Sequence, residues 1–196
     1  MPPKDRPILF DEDIRLLLFD YLDLTYSKVR TFEEKIMGRS RSDVVVLLPD
    51  ALVGIEIKSD ADTYTRLATQ VKDYDRYFDM NYILVGSSHL KRVSEHVPDH
   101  WGILYVDQTE EEPIVREARK AERSVKINMR NQLVFMWKRE LRTLLRMNGL
   151  PSYAEKSRAA MESALMKRVA KSKLKLQMCD ILFERDYSIF EKENEG

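Results

Sequence analysis

At 196 residues the chain is long enough to bury one full core plus a helical extension, and too short for two complete enzymes. Its single cysteine, Cys179, excludes an intrachain disulfide and a thiolate zinc site, and no apolar run reaches the length of a signal peptide core or a membrane span, so a soluble, cytoplasmic protein is expected. The formal net charge of zero conceals a polarity: residues 1–114 carry 14 Lys+Arg against 22 Asp+Glu, whereas residues 115–196 carry 19 against 11.

In chain order, Asp11 reads as a helix N-cap, followed by Ile14, Leu17, Leu18, Tyr21 and Leu22 at helical spacing. Val29 to Ile36 reads as extended. After the turn-like stretch from Gly38 to Ser42, Asp43 opens the β-branched run Val44 to Leu48. Pro49-Asp50 makes a turn into Leu52 to Lys58, whose period of two sends Glu56 and Lys58 to one face and Ile55 and Ile57 to the other. Asp60 to Thr63 offers capping residues for a second helix with the stripe Leu67, Val71, Tyr74 and Phe78. A strand at Tyr82 to Val85, a short helix about Leu90 to His96 and a strand at Gly102 to Val106 follow, so the order is α-β-β-β-α-β-α-β in one α/β domain.

The acidic run Glu110 to Glu112, followed by Pro113, marks a boundary, giving a domain over 1–112 and a basic helical module over 113–196. Ile114 to Glu122 fits strand or helix. Leu133, Met136, Trp137, Leu141, Leu144 and Leu145 define one long amphipathic helix ending at Asn148-Gly149, and two more helices run about Ala154 to Lys171 and Lys173 to Tyr187. The basic module suits a polyanion, although docking on the acidic domain or on a protein partner explains the same charge.

Asp43 at the opening of one strand and Glu56-x-Lys58 on the next place two carboxylates and an ammonium at one end of a hairpin, where a hard divalent cation and a phosphate can meet. The bare string is weak, since Glu33-Glu34-Lys35 also matches Glu-x-Lys, and a surface ion pair between strands is the plain alternative. Only the Glu56 copy lies inside an apolar strand, after one that begins with Asp43 and before a helix carrying Gln70.

That order of helix, Asp43, Glu56-Ile57-Lys58 and helix resembles the PD-(D/E)XK, or restriction-endonuclease-like, nuclease superfamily, with its proline-aspartate element degraded to Ser42-Asp43. Gly54 to Asp60, Arg66-Leu67, Gln70 and Val97 to Ile103 are similar to a poorly characterised phage and bacterial subgroup, and Gln70 with Tyr74 resembles the Gln-x-x-x-Tyr element of RecB-type nucleases. The resemblance implies an α-β-β-β-α-β core with a mixed sheet. It implies Mg²⁺ or Mn²⁺ held by Asp43, Glu56 and the Ile57 carbonyl, with Lys58 as the cationic partner of water or phosphate. A third acid is expected from Glu33 or Glu34, with Glu12 competing and also explained as a helix-dipole partner. Gln70 is a candidate for touching the site. Arg39, Arg41 and Arg66, and in the module Arg142, Arg146, Lys171 and Lys175, are candidates for nucleic-acid contact.

His89, His96 and His100 lack a metal-ligand spacing and read as surface or capping residues, and Trp137 reads as core. The single glycine of Val85-Gly86-Ser87-Ser88 is too little for a nucleotide loop. The leading expectation is a Mg²⁺-dependent deoxyribonuclease. Its rival is a catalytically silent nuclease fold that binds nucleic acid or protein, such as a phage inhibitor of a host factor. No membrane partner is expected, and a homodimer or a host or phage protein partner stays open.

Overall fold

The computed structural model describes residues 9–109, 112–151 and 157–186. Glu110 and Glu111 of the expected boundary, the start of the helix expected from Ala154 and the end of the one expected at Tyr187 lie outside the described residues. The elements are α1 (Asp11–Thr25), β1 (Arg30–Met37), β2 (Ser40–Leu48), β3 (Ala51–Lys58), α2 (Leu67–Tyr77), β4 (Met80–Val85), β5 (Gly102–Gln108), β6 (Pro113–Arg119), α3 (Met129–Leu133), α4 (Lys138–Met147), α5 (Arg158–Arg168) and α6 (Lys171–Phe183).

The six strands form one sheet in sequence order. β1, β2 and β3 are an antiparallel meander, β3, β4 and β5 are parallel, and β6 returns antiparallel to β5. The mixed α/β architecture expected from the sequence is thus observed. Between β3 and β4 the chain must travel back along the sheet, and α2 supplies that crossover.

Alternation along the strands divides the core between two faces. Val44, Val46, Val53, Ile55 and Ile57 pack with Ile14, Leu18 and Leu22 of α1. Val45, Leu47, Leu52, Ile83 and Val85 pack with Tyr74 and Phe78 of α2 and with Leu133, Leu144, Leu165, Leu174 and Leu182 of α3–α6. The C-terminal helices therefore share the α2 face of the sheet. No helix among the described residues is long and apolar enough to cross a membrane.

Several local expectations change. The ambiguous stretch after residue 113 is the edge strand β6, so the helices begin only after it. The short helix expected about Leu90 to His96 is a single 3-10 turn, Val93–Glu95. α1 begins at Asp11 itself, capped by Phe10, whose N–H donates to Asp13 Oδ2 at 3.0 Å. α2 has no side-chain cap, because Asp62 holds the Ser59 N–H and hydroxyl and Asp60 holds Ser88. The single long helix is two: α4 restarts at Trp137, whose N–H donates to Glu140 Oε2 at 2.6 Å, while the Arg158 guanidinium takes the carbonyls of Leu133 and Met136. A cap at each side of the break outweighs the continuous apolar stripe.

Candidate active site

The β2–β3 ladder stops at the pair Val44–Ile55. The next opposed pair is Asp43 and Glu56, and both lie on the α2 face by the strand alternation. Here β2 stays with β1 while β3 continues beside β4, and the strands part. The Ile57 N–H, which a continuing ladder would give to a backbone carbonyl, donates instead to Asp43 Oδ2 at 2.8 Å. A strand residue directs its N–H and C=O to the same neighbour, so the Ile57 carbonyl also faces the fork.

Glu56 is fully buried, and its two oxygens meet three donors. Lys58 Nζ at 2.5 Å and Gln70 Nε2 at 2.6 Å donate to Oε1, and the Tyr74 hydroxyl donates to Oε2 at 2.9 Å. Lys58 is two residues on along the same strand face, while Gln70 and Tyr74 are four apart on α2 and so stand one above the other. The Asp43 N–H donates to the Tyr74 oxygen at 3.3 Å, which ties both acids to one ring. Gly54 makes this possible, since a Cβ there would lie 2.7 Å from the Tyr74 ring.

Burial, and then the nearby Glu56 carboxylate, push the Asp43 carboxyl up to about 7. The same burial, followed by the two carboxylates, holds the Tyr74 phenol well above its ordinary range, so it stays a donor to Glu56. The fork opens into a cleft of about 1200 Å³. Asp11, Glu12 and Asp13 of α1 line one side, Arg39, Ser40 and Arg41 of the β1–β2 turn another, and Ser59, Asp62, Thr65, Arg66 and Thr69 the loop side. Asp73 of α2 pins the turn by accepting from the Arg39 N–H at 3.2 Å and the Ser40 hydroxyl at 2.7 Å.

Two carboxylates and a carbonyl are hard oxygen donors suited to a divalent cation that keeps several waters. No three His, Cys, Asp or Glu side chains among the described residues are grouped to hold a metal, so the fork supplies two acids and not three.

Of the residues singled out from the sequence, Asp43, Glu56, Ile57, Lys58, Gln70, Arg39, Arg41 and Arg66 line this one cleft. Glu33 and Glu34 are not brought to it. Glu33 faces α1 and pairs with Arg15 at 3.2 Å, because it lies opposite Val44 on the other sheet face. Glu34 sits in the left-handed region at φ 51° and pairs with Arg41 at 3.2 Å. Glu12 does line the cleft. Arg142 and Arg146 are exposed on α4 and Lys171 begins α6, all away from the cleft lining.

Lys175 is half-buried and cannot meet a polyanion: its Nζ donates to Asp79 Oδ2 at 2.6 Å and to Gln132, and burial draws its ammonium below the ordinary range even against Asp79. Two histidines differ from a surface reading: His100 Nε2 lies 2.8 Å from buried Asp75, and His89 Nε2 is buried. His96 is exposed, caps the Val93–Glu95 turn and stacks on Tyr64 at 3.9 Å. Trp137 is half-buried at the start of α4, between the guanidiniums of Arg139 and Arg185, each 4.2 Å from its ring. Sequence reasoning assigned Tyr74 no site role and overlooked Asp73. The Gln-x-x-x-Tyr spacing signalled the first, and no sequence feature signalled the second.

A family model described as Bacteriophage P4 protein cII matches residues 10–193. No curated protein matches. Among solved structures, "The structure of Pyrococcus Furiosus SfsA in complex with Ca2+" aligns at 12% identity with a TM-score of 0.32, covering 58% of this chain and 61% of that one.

Proposed function

The chain belongs to the bacteriophage P4 protein cII family, and we propose that its cleft is the active site of a PD-(D/E)XK-type metal-dependent nuclease that hydrolyses phosphodiester bonds in DNA. The observation that carries this reading is the fork itself. Where the β2–β3 ladder ends, the Asp43 carboxylate accepts from the Ile57 N–H, opposite Glu56, with Lys58 at the mouth.

Asp43, Glu56 and the Ile57 carbonyl would hold Mg²⁺ or Mn²⁺. The bound cation supplies Lewis-acid polarisation of the phosphate and a lowered pKa for water. Lys58 offers its ammonium where charge grows on the phosphate, and Gln70 and Tyr74 hold Glu56 in one rotamer. Arg39, Arg41 and Arg66 on the two walls bind the backbone on either side of the scissile bond. Glu12, which lines the cleft from α1, is the candidate for completing the ligand set.

One observation favours a second reading, a silent nuclease fold that binds nucleic acid or protein. Only two acids converge among the described residues, and Glu56 already has all three of its donors. Incubation with linear, circular, single-stranded and branched DNA and with RNA, in Mg²⁺, Mn²⁺ or chelator, separates the two. Cleavage that needs metal and disappears in Asp43→Ala is expected. Binding without cleavage under every metal condition refutes the enzyme and supports the silent fold.

A further inference from the structure

Between Glu162 and Asp180 the sequence holds no acidic residue and five basic ones, Lys167, Arg168, Lys171, Lys173 and Lys175. Lys175 turns inward onto Asp79. The other four are exposed at the corner between α5 and α6, and none makes an ion pair, hydrogen bond or ring contact among the described residues. Some exposed cations elsewhere are paired, Arg123 with Asp50 at 2.6 Å, Arg116 with Asp107 at 2.7 Å and Arg41 with Glu34 at 3.2 Å, whereas the corner gathers four without such a partner within seven residues of chain.

The corner also runs against helix electrostatics. Lys171 and Lys173 stand in the first turn of α6, which has no acidic residue and no side-chain cap. Cations at the positive end of a helix repel its dipole, and a sequence that breaks a local rule without compensation does so most often at a functional surface.

We infer that the α5–α6 corner is a binding surface for the phosphodiester backbone of nucleic acid, separate from the cleft. Lys175 holds Asp79, and Asp79 Oδ2 holds the Leu52 N–H at 2.8 Å at the start of β3. Asp43 meets Ile57 at the other end of that strand, five residues and about 16 Å away. None of the four corner residues belongs to the cleft lining, so the two surfaces are distinct. A polyphosphate suits four unrestrained cations, because counterion release rewards charge without fixed geometry. An acidic protein segment would need apolar anchors at the centre of the contact. The exposed side chains at the corner itself are Lys167, Arg168, Ala170, Lys171, Ser172 and Lys173, and the single exposed large apolar side chain of α6 beside them, Leu176, lies beyond Lys173.

The inference does not require the cleft to be a nuclease. Its test is fluorescence anisotropy of the full chain with a labelled DNA duplex in chelator, with poly-glutamate as competitor and salt as the variable. Lys167→Glu/Arg168→Glu/Lys171→Glu/Lys173→Glu, checked for fold by circular dichroism and backed by the milder change of all four to Gln, is expected to weaken binding at least about tenfold and to lower the slope of log K against log [salt] by about 2 to 4. Lys91→Glu/Arg92→Glu, at exposed cations outside both the cleft lining and the corner, is expected to keep most of that binding. Unchanged affinity and slope in a folded corner variant overturns the inference. So does tighter binding of poly-glutamate than of DNA to the wild-type corner, which assigns the surface to an acidic protein instead. Failure of the cleft reading would appear separately, as absence of metal-dependent cleavage.

Discussion

Replacing Asp43 with Asn isolates what the fork costs the fold. In the folded protein the Asp43 carboxyl is pushed from the ordinary 3.8 up to about 7, so the native state holds this proton more tightly than the unfolded chain does. The resulting stabilisation is complete below the unfolded value and is lost as pH rises through about 7. At about 1.4 kcal/mol per pH unit, the metal-free wild type gives up on the order of 2–4 kcal/mol from this group between pH 4 and pH 8. Asn keeps an acceptor for the Ile57 N–H and carries no charge. At pH 8 in chelator, Asp43→Asn is therefore expected to melt higher than wild type by roughly 5–15 °C, taking about 2–4 °C per kcal/mol for a chain of this size. At pH 4 the difference should close. Saturating Mg²⁺ should raise the wild-type Tm at pH 8 and leave the variant unmoved, since only a ligand of the native state shifts the melt. Calorimetric scans at both pH values check this. A variant less stable than wild type at pH 8, or a gap of equal size at pH 4, refutes the reasoning.

Lys58→Ala is expected to reduce metal-dependent cleavage by about 100-fold or more while DNA affinity stays within about threefold, measured by single-turnover kinetics beside anisotropy. Full activity would remove Lys58 from the chemistry. Tyr74→Phe deletes the buried donor to Glu56 Oε2, so chemical denaturation should show a loss of about 1–3 kcal/mol, and an unchanged midpoint would mean that water or Gln70 replaces it. Asp79→Ala leaves the buried Lys175 ammonium without a counter-charge, with Gln132 as its remaining acceptor, and should cost about 3–5 kcal/mol, whereas Lys175→Met should leave DNA affinity as it was, in contrast to charge reversal at Lys171. A loss of DNA affinity in a folded Lys175→Met protein would return that lysine to the binding surface.

Glu56 was legible because period-two alternation in an apolar strand marks which face it shares with Lys58, and the meander was legible from its turns. Gln70 and Tyr74 were legible as a spacing, since four residues on a helix superpose whatever the helix packs on. Glu33 and Glu34 misled because the same Glu-x-Lys string lies on an edge strand. There the opposing face and the left-handed turn at Glu34 send the two carboxylates to Arg15 and Arg41. Lys175 misled for a related reason: a basic run reads as one solvated surface, and only the burial of one member against Asp79 distinguishes it from its neighbours.

The sequence by itself determined the order of α1, β1, β2, β3, α2, β4 and β5, the apolar faces of strands and helices, and the opposed charges of the two parts, because each is a local or compositional property. Tertiary structure alone decided where the β2–β3 ladder ends, and hence that the Asp43 carboxylate, in place of a backbone carbonyl, takes the Ile57 N–H. It alone decided that Gly54 admits Tyr74, that α1 and not β1 contributes acids to the cleft, and that four cations of the α5–α6 corner have no ion-pair partner among the described residues. Those outcomes depend on which strands part and which faces meet, and contacts between residues far apart in the chain leave no periodicity in it.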